Sequence, residues 1–220
     1  MPLRLEISGK YACFTRPELK AERVSYEVMT PSAARGILEA VYWQPGMRWV
    51  VERIHVRAPI RYMNLRRNEV RAVISAHTAR SVMEQREGPL YLAASENVQQ
   101  RSSLILRDVR YVIDAHFELT ERAGPDDSAG KFSEIIRRRA ERGQCYHTPY
   151  LGCREFPAAF HLCRQLPPCP AELLGERQLG LMLWDMDYQN PENIHPLFFR
   201  AVLRDGTLQI PTRESGEVAG

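Results

Sequence analysis

Two segments of the chain alternate between apolar and polar residues, the pattern of a strand with one buried face. In residues 3–14, the apolar side chains Leu3, Leu5 and Ile7 are separated by polar ones. In residues 109–119, the apolar positions run from Tyr111 to Leu119. The polar positions of this second segment are Arg110, Asp114, His116 and Glu118. Because successive side chains of a strand point to opposite faces, these four should share the face away from the core.

Helical periodicity predicts two helices. The first runs over residues 31–43, after Thr30 as N-cap and Pro31 at the first helical position. The second runs over residues 131–143 and ends at Gly143. Further strands are expected at 47–59, 153–163 and 179–188 and in a hairpin over 198–210, whose turn is Asp205-Gly206.

The order β-α-β-(insertion)-β-α-β predicts an α+β, ferredoxin-like (RRM-like) domain. We expect this domain over residues 1–165, with an arginine-rich insertion at about 60–105, and a small antiparallel β appendage over 166–220. In this fold two helices cover one face of the sheet. RNA-recognition modules use the other face to hold single-stranded bases.

The composition is that of a globular, water-soluble protein. With 44% hydrophobic residues, the 220-residue chain can bury a substantial core, and disordered and fibrous classes are excluded. No apolar run approaches the ~18 residues of a membrane span. The first residues contain no apolar segment typical of a signal peptide, so we expect a cytoplasmic protein without a membrane partner.

The basic residues are almost all arginines. Only Lys10, Lys20 and Lys131 are lysines among 30 basic residues, which are balanced by 27 acidic ones. Arginine binds phosphate in a bidentate manner and stacks on bases, which favours a nucleic-acid partner, although codon bias in a GC-rich genome gives the same count. Clustering favours nucleic acid, and the candidate RNA-binding residues are Arg35, Arg66, Arg67, Arg101, Arg110 and Arg138.

Tyr42 and His116 are the candidate catalytic pair. Histidine and tyrosine can move protons without a metal. Cleavage of RNA requires a base for the ribose 2′-OH, an acid for the departing 5′-oxygen and positive charge at the phosphate. The alternative is that neither residue is catalytic: Tyr42 would then lie at the edge of the core and His116 on the solvent-exposed face of its strand.

The cysteines and histidines of the third quarter of the chain are zinc-ligand types. They are Cys145, His147, Cys153, His161 and Cys163. Their spacing matches no standard zinc motif and no CxxC pair occurs, so we expect thiols without a metal or other cofactor. Phosphate-binding glycine loops and the GxSxG and HExxH motifs are also absent from the sequence.

Four segments carry a resemblance to a known family. They are TPSAARGILEAVYWQP, ENVQQRSSLILRDVRYVIDAHFELT, KFSEIIRRRAERGQCYHTPYLGCREFPAAF and LGLMLWDMDY. In this order they resemble the Cas-five family of CRISPR-associated proteins, subtype I-C (Dvulg type), of the RAMP superfamily. The resemblance extends from about residue 3 to residue 210.

This resemblance implies a metal-independent endoribonuclease that cuts the repeat hairpin of precursor CRISPR RNA. It implies product ends with a 5′-hydroxyl and a 2′,3′-cyclic phosphate. It further implies that the protein keeps the 5′ handle as a subunit of an RNA-guided type I-C surveillance complex. The implied partners are crRNA, the other subunits of that complex and, as a further candidate, double-stranded DNA.

The family's catalytic tyrosine matches Tyr42 and its catalytic histidine matches His116. Some members carry a lysine where this chain has Ala115, so the cationic role is open. We expect Tyr42 to act as base or to orient the 2′-OH and His116 to act as acid; the roles can also be reversed. As base, Tyr42 needs a neighbouring cation, for which Arg35 is the candidate. The alternative is a non-catalytic subunit that binds crRNA and duplex DNA.

Overall fold

The structure is a computed structural model that describes residues 3–19, 21–85, 88 and 90–220. Three α-helices lie in the described part: α1 (Pro31–Val41), α2 (Ala76–Gln85) and α3 (Ala129–Arg142). The strands are β1 (Leu3–Ala12), β2 (Met47–Val56), β3 (Tyr62–Val70), β4 (Val98–Leu119), β5 (Ala159–Leu162), β6 (Glu176–Asp187), β7 (His195–Arg204), β8 (Thr207–Gln209) and β9 (Val218–Ala219).

The centre of the sheet has the order β5-β1-β4-β2, with antiparallel pairing throughout. Together with α1 after β1 and α3 after β4, this arrangement is compatible with the expected ferredoxin-like fold. Leu5, Ile113 and Ile54 lie side by side on three adjacent strands and are fully buried. The alternation seen in the sequence therefore sets the register of the sheet, because a one-residue shift would expose these side chains.

Helices α1 and α3 pack on the apolar face of the sheet. The Thr30 side chain caps α1 by accepting a hydrogen bond from the backbone N–H of Ala33, and Pro31 occupies the first helical position. Helix α3 ends at Gly143, whose φ of 63° lies in the left-handed region that favours glycine. Their buried residues are Ala34, Ile37, Leu38 and Val41 on α1 and Phe132, Ile136 and Ala140 on α3.

The opposite face of the sheet carries paired charges. Arg4 of β1 donates two hydrogen bonds to Asp114 of β4, at 2.8 and 3.2 Å. The ring of His55 lies 3.1 Å from the same carboxylate, and Arg110 donates to Glu6 at 2.6 Å. Asp114, His55 and Glu6 are buried, so this part of the face is not open to a ligand.

Strand β3 and the first half of β4 form an arm that extends the sheet. Their register runs from Tyr62 beside Leu106 to Val70 beside Val98. The sequence pattern predicted the strand only from residue 109, whereas β4 has 22 residues. Asp108 explains the difference, because its φ of 52° interrupts the alternation between the two halves of the strand.

The C-terminal strands continue the same sheet rather than stacking on it. Strand β8 pairs with β2, β7 with β8, and β6 and β9 with β7. Strand β5 is shorter than the predicted 153–163, because residues 151–157 form a turn closed by hydrogen bonds from Leu151 to Phe156 and from Phe156 to Cys153. Among the described residues, each helix is too short or too polar to cross a bilayer.

Candidate functional site

His116 lies on β4 and pairs beside Val50 of β2. It follows Ala115, which pairs with the first residue of β1, so among the described residues β1 does not extend alongside His116. Its Nδ1 is 2.6 Å from Oε1 of Glu52, and the side chain is about one-third exposed. The register of β2 shifts between Val51 and Arg53, so Glu52 is the extra residue of a β-bulge. A carboxylate only accepts hydrogen bonds, so Nδ1 carries the proton of this contact and Nε2 remains for another partner.

A second carboxylate lies near the free nitrogen. Oε1 of Glu118 is 3.8 Å from Nε2 of His116, beyond hydrogen-bond distance. Arg48 donates to Glu118 at 2.6 Å, and this hydrogen bond lowers the pKa of the Glu118 carboxyl. His116 therefore stands between two acidic side chains, only one of which holds it.

Tyr42 lies at the C-terminal end of α1, with its ring in the core. Only 5% of the residue is exposed, and its ring centroid is 5.9 Å from that of Phe132 on α3. Trp49 donates to the backbone carbonyl of Tyr42 at 2.8 Å. Burial raises the pKa of the Tyr42 hydroxyl, and the cations Arg139 and Lys131 oppose this rise only in part. The side chain is therefore a neutral phenol at physiological pH.

The cation beside Tyr42 is Arg139, and the expectation that Arg35 takes this place is wrong. The Arg139 guanidinium lies 5.1 Å from the Tyr42 ring centroid and donates to the carbonyl of Val41 at 2.8 Å. Arg35 instead donates to Asp185 at 2.7 and 2.9 Å and to Glu39 at 2.7 Å. Tyr42 lies outside α1, contrary to the predicted helix over residues 31–43, because it follows the last helical residue and has an extended backbone, with φ −157°.

The sequence did contain a signal for Arg139. It lies seven residues after Phe132 on α3, and residues seven apart on a helix share one line. Because Phe132 is apolar and faces the core, Arg139 is expected on the same side of α3, which faces α1 and the sheet.

The structure does not bring Tyr42 and His116 into contact. Phe117, the next residue on β4 after His116, packs against Phe132 with ring centroids 6.0 Å apart, and Phe132 in turn packs against Tyr42. His116 points to the carboxylates of the neighbouring strand positions instead. An aromatic layer therefore lies between the two predicted catalytic side chains.

A small cleft of about 40 Å³ connects His116 with α3. Ser133 and Arg137 line it from the helix, and Leu3 lines it from the start of β1. The three consecutive arginines of α3 thus have different places: Arg137 shares this cleft with His116, Arg138 is exposed, and Arg139 contacts Tyr42. Of the three, only Arg138 is among the RNA-binding residues predicted from the sequence.

The remaining predicted RNA-binding arginines fall into two groups. Arg66 and Arg138 are exposed and form no ion pair within the described ranges. Arg67 pairs with Glu155, Arg101 lies 3.7 Å from Glu69, and Arg110 pairs with Glu6. Strand alternation explains the split on the arm, since Arg67 and Arg101 face each other across one side of the ladder and Arg66 points to the other side.

The candidate zinc ligands are dispersed. Cys145 is exposed, and the Sγ of Cys153 lies 3.6 Å from the carbonyl oxygen of Cys13. The Sγ of Cys163 lies 3.2 Å from the carbonyl oxygen of Gln165. No three histidine, cysteine, aspartate or glutamate side chains converge as metal ligands in the part of the chain that the structure describes.

Comparison with known proteins identifies similar sequences. The family model Cas_Cas5d, described as CRISPR-associated protein (Cas_Cas5), matches residues 2–211. The chain is 46% identical over 221 residues to a Mannheimia succiniciproducens protein named CRISPR pre-crRNA endoribonuclease Cas5d, covering 98% of this chain and 97% of that protein. It is 39% identical over 235 residues to a Thermus thermophilus protein of the same name, covering 98% and 94%.

A solved structure described as that of a CRISPR-associated protein has the same fold. It superposes with a TM-score of 0.70 at 21% identity and covers 100% of this chain and 97% of that chain.

Proposed function

Because the chain belongs to the Cas5d family of CRISPR-associated proteins, we propose that it is an endoribonuclease that cleaves the repeat hairpin of precursor CRISPR RNA. Both curated relatives carry the name of this activity and match the chain over nearly its whole length. The observation that carries the proposal is the pair of His116 and Glu52, in which Nδ1 is held at 2.6 Å and Nε2 is left for substrate.

The reaction is a transesterification within the RNA. The ribose 2′-oxygen loses its proton to a base and attacks the adjacent phosphorus. The bond between phosphorus and the 5′-oxygen then breaks, and an acid donates a proton to that oxygen. The products are a 2′,3′-cyclic phosphate and a 5′-hydroxyl, and neither step requires a metal.

His116 is the proton-transfer group in this proposal. Glu52 keeps the ring in one orientation by accepting from Nδ1–H, so Nε2 takes the proton of the 2′-OH and the resulting imidazolium gives it to the departing 5′-oxygen. Arg137, which lines the same cleft, is placed to stabilise the negative charge that develops on the phosphate. Arginine keeps its proton, so it supplies the charge that a lysine at position 115 supplies in other members but not a proton.

Tyr42 acts as a hydrogen-bond donor rather than as a base. Its raised pKa disfavours the phenolate, and its hydroxyl makes no hydrogen bond with any described residue. Because Phe132 and Phe117 separate it from His116, Tyr42 would contact the RNA at a different atom from the one that His116 protonates.

The arm binds the RNA and retains it after cleavage. The exposed side of β3 presents Asn64, Arg66 and Asn68, which are suited to phosphates and base edges. In this proposal the arginine-rich insertion holds the 5′ handle while the protein serves as a subunit of a surveillance complex.

Cleavage of the cognate repeat hairpin in EDTA tests the proposal. We expect cleavage by the wild type, product ends that carry a 5′-hydroxyl and a 2′,3′-cyclic phosphate, and a loss of about 10²-fold or more for His116→Ala. The RNA affinity of the variant should be unchanged. RNA that is bound but left intact by the wild type would instead support a non-catalytic subunit.

A further inference from the structure

A cleft of about 310 Å³ separates α1 from the loop over residues 149–152. Thr30, Ser32 and Gly36 line it from the helix side, and Tyr150 lines it from the loop. Phe14, just after β1, and Leu183 of β6 also line it. None of the predicted catalytic or RNA-binding side chains lines this cleft.

The side chains that line the cleft favour an uncharged ligand over a charged one. No side chain that lines the cleft carries a charge, and all of them belong to the described residues. A phosphate or carboxylate group would lose its water there without gaining a partner of opposite charge. Aromatic rings and hydroxyl groups together suit an uncharged planar heterocycle, which stacks on the rings and exchanges hydrogen bonds at its edge.

We propose that this cleft receives one unpaired nucleobase of the RNA that the protein cleaves. The inference rests on the proposed function, and it adds a subsite that reads a base rather than the backbone. Paired bases are inaccessible within a hairpin stem, so the nucleotide must come from a single-stranded part of the repeat RNA.

The walls of the cleft are held in place before any ligand binds. The backbone N–H of Cys13 donates to Leu151 at 3.0 Å, which fixes the loop against the end of β1. A Cβ on Gly152 would lie 2.0 Å from the carbonyl oxygen of Cys13, so the loop packs as closely as a glycine allows. On the helix side, the capping hydrogen bond of Thr30 fixes the first turn of α1. A pre-formed pocket avoids the entropy cost of ordering a loop on binding.

Gly36 keeps one wall of the cleft open. It lies in the middle of α1, where glycine costs about 1 kcal/mol relative to alanine. A Cβ at this position would meet no atom within 4 Å, so packing within the protein does not require the glycine. A larger side chain on a helix points back towards the preceding turn, which here means over Ser32 and into the cleft.

The chain offers a matched control for a variant that fills the cleft. Gly130 of α3 is also an exposed helical glycine at which an added Cβ would meet no atom within 4 Å, and it lies outside the cleft. Gly36→Leu should therefore fill the site, and Gly130→Leu should change only an exposed helix surface. Both variants are expected to fold, because an added Cβ at either position meets no atom within 4 Å and both glycines are exposed.

The test combines these variants with a scan of abasic sites. The wild-type cut is first mapped on the repeat RNA, and binding is then measured on RNA with a 2′-deoxy residue at that cut. Abasic substitution of one single-stranded nucleotide should weaken wild-type binding about 10-fold, the loss of one stacked base. Gly36→Leu should bind the intact RNA about 10-fold more weakly and be indifferent to that substitution, whereas Gly130→Leu should match the wild type.

Two results would overturn the subsite. One is an abasic penalty that persists in Gly36→Leu, and the other is equal RNA affinity of Gly36→Leu and Gly130→Leu. Failure of the proposed function gives a different result, because the wild type would then leave the unmodified RNA intact. In that case the unmodified RNA serves for the same binding comparison.

Discussion

Glu52 and His116 are joined across β2 and β4 by a hydrogen bond of 2.6 Å between Oε1 and Nδ1. The bulge in β2 makes this contact possible. It inserts Glu52 between Val51 and Arg53, which pair with consecutive residues of β4. The carboxylate thus orients an imidazole whose second nitrogen has no hydrogen-bond partner within the described ranges.

The first prediction concerns Glu52 as a positioning residue. Glu52→Gln should lower the single-turnover cleavage rate about 10-fold without changing RNA affinity, because a neutral amide replaces the carboxylate in the charge-assisted hydrogen bond that holds the ring and favours its protonated form. Glu118→Gln is the matched control, since its carboxylate lies 3.8 Å from the ring, and it should cleave at a rate close to wild type.

A double variant tests whether Glu52 acts through the histidine. In a His116→Ala background, Glu52→Gln should cause no further loss of rate, because residues that act as one unit are not additive. A full additional 10-fold loss would show that Glu52 acts elsewhere.

The second prediction concerns the hydroxyl of Tyr42. Tyr42→Phe keeps the ring against Phe132 and removes the donor, so the cleavage rate should fall about 10²-fold. The melting temperature should be unchanged, because the hydroxyl makes no hydrogen bond with any described residue. Cleavage at the wild-type rate would remove Tyr42 from the reaction and leave it as a core residue.

The third prediction separates the exposed arginines of the arm from the paired ones. Arg66→Ala should weaken RNA binding and reduce the slope of log affinity against log salt by about 1, which is the loss of one phosphate contact. The fold should be unaffected, because Arg66 is exposed and has no ion pair within the described part.

Arg67→Ala is the comparison for Arg66→Ala. Arg67 is half-buried, pairs with Glu155 and lies 5.8 Å from the ring centroid of Phe156. Its removal should lower the melting temperature and leave the salt slope at the wild-type value. If the two variants give the reverse result, the side of the arm that faces the RNA has been misassigned.

The fourth prediction concerns stability at acid pH. Burial alone would raise the pKa of Asp114, but hydrogen bonds from His55 and Arg4 outweigh it and hold this pKa well below its usual range. The stabilisation is therefore complete above the unfolded-state pKa of about 4 and is lost as the pH falls below it.

Asp114→Asn measures this contribution. The variant should lower the free energy of unfolding at pH 7 by roughly 3 kcal/mol, because it leaves Arg4 and His55 without their carboxylate. Urea denaturation between pH 2 and pH 7 should show a flatter acid limb for Asp114→Asn, and an unchanged one for the exposed control Asp126→Asn. Parallel pH curves for Asp114→Asn and wild type would contradict the assignment.

The sequence sufficed to predict the strands and helices that carry a buried face. Residues around Leu5 and Ile113 alternate, and α1 and α3 have apolar stripes, so their places along the chain followed. Strand β3 was missed because Asn64, Arg66 and Asn68 are exposed on one side, and Arg67 and Glu69 occupy the other side beside two apolar residues. A strand with few apolar residues on either face lacks the periodic signal.

The site was predictable only where strand geometry determined it. Alternation placed His116 among polar neighbours, as found. Its partner Glu52 depends on a bulge, which the sequence pattern does not encode. Tyr42 was placed within a helix over residues 31–43 with Arg35 as its neighbouring cation, but the helix ends at Val41 and Arg35 pairs with Asp185 and Glu39 instead.

The length of β4 has a consequence for the distance between the proposed RNA contact on the arm and His116. Arg66 on the arm pairs beside Ser102, and His116 follows 14 residues later on the same strand. At about 3.3 Å per residue, the two positions are at most about 46 Å apart. In the proposed mechanism this one continuous strand sets the distance between the RNA contact at Arg66 and the bond that His116 acts on, so we expect side-chain changes on the arm to alter which RNA is held without moving the scissile position.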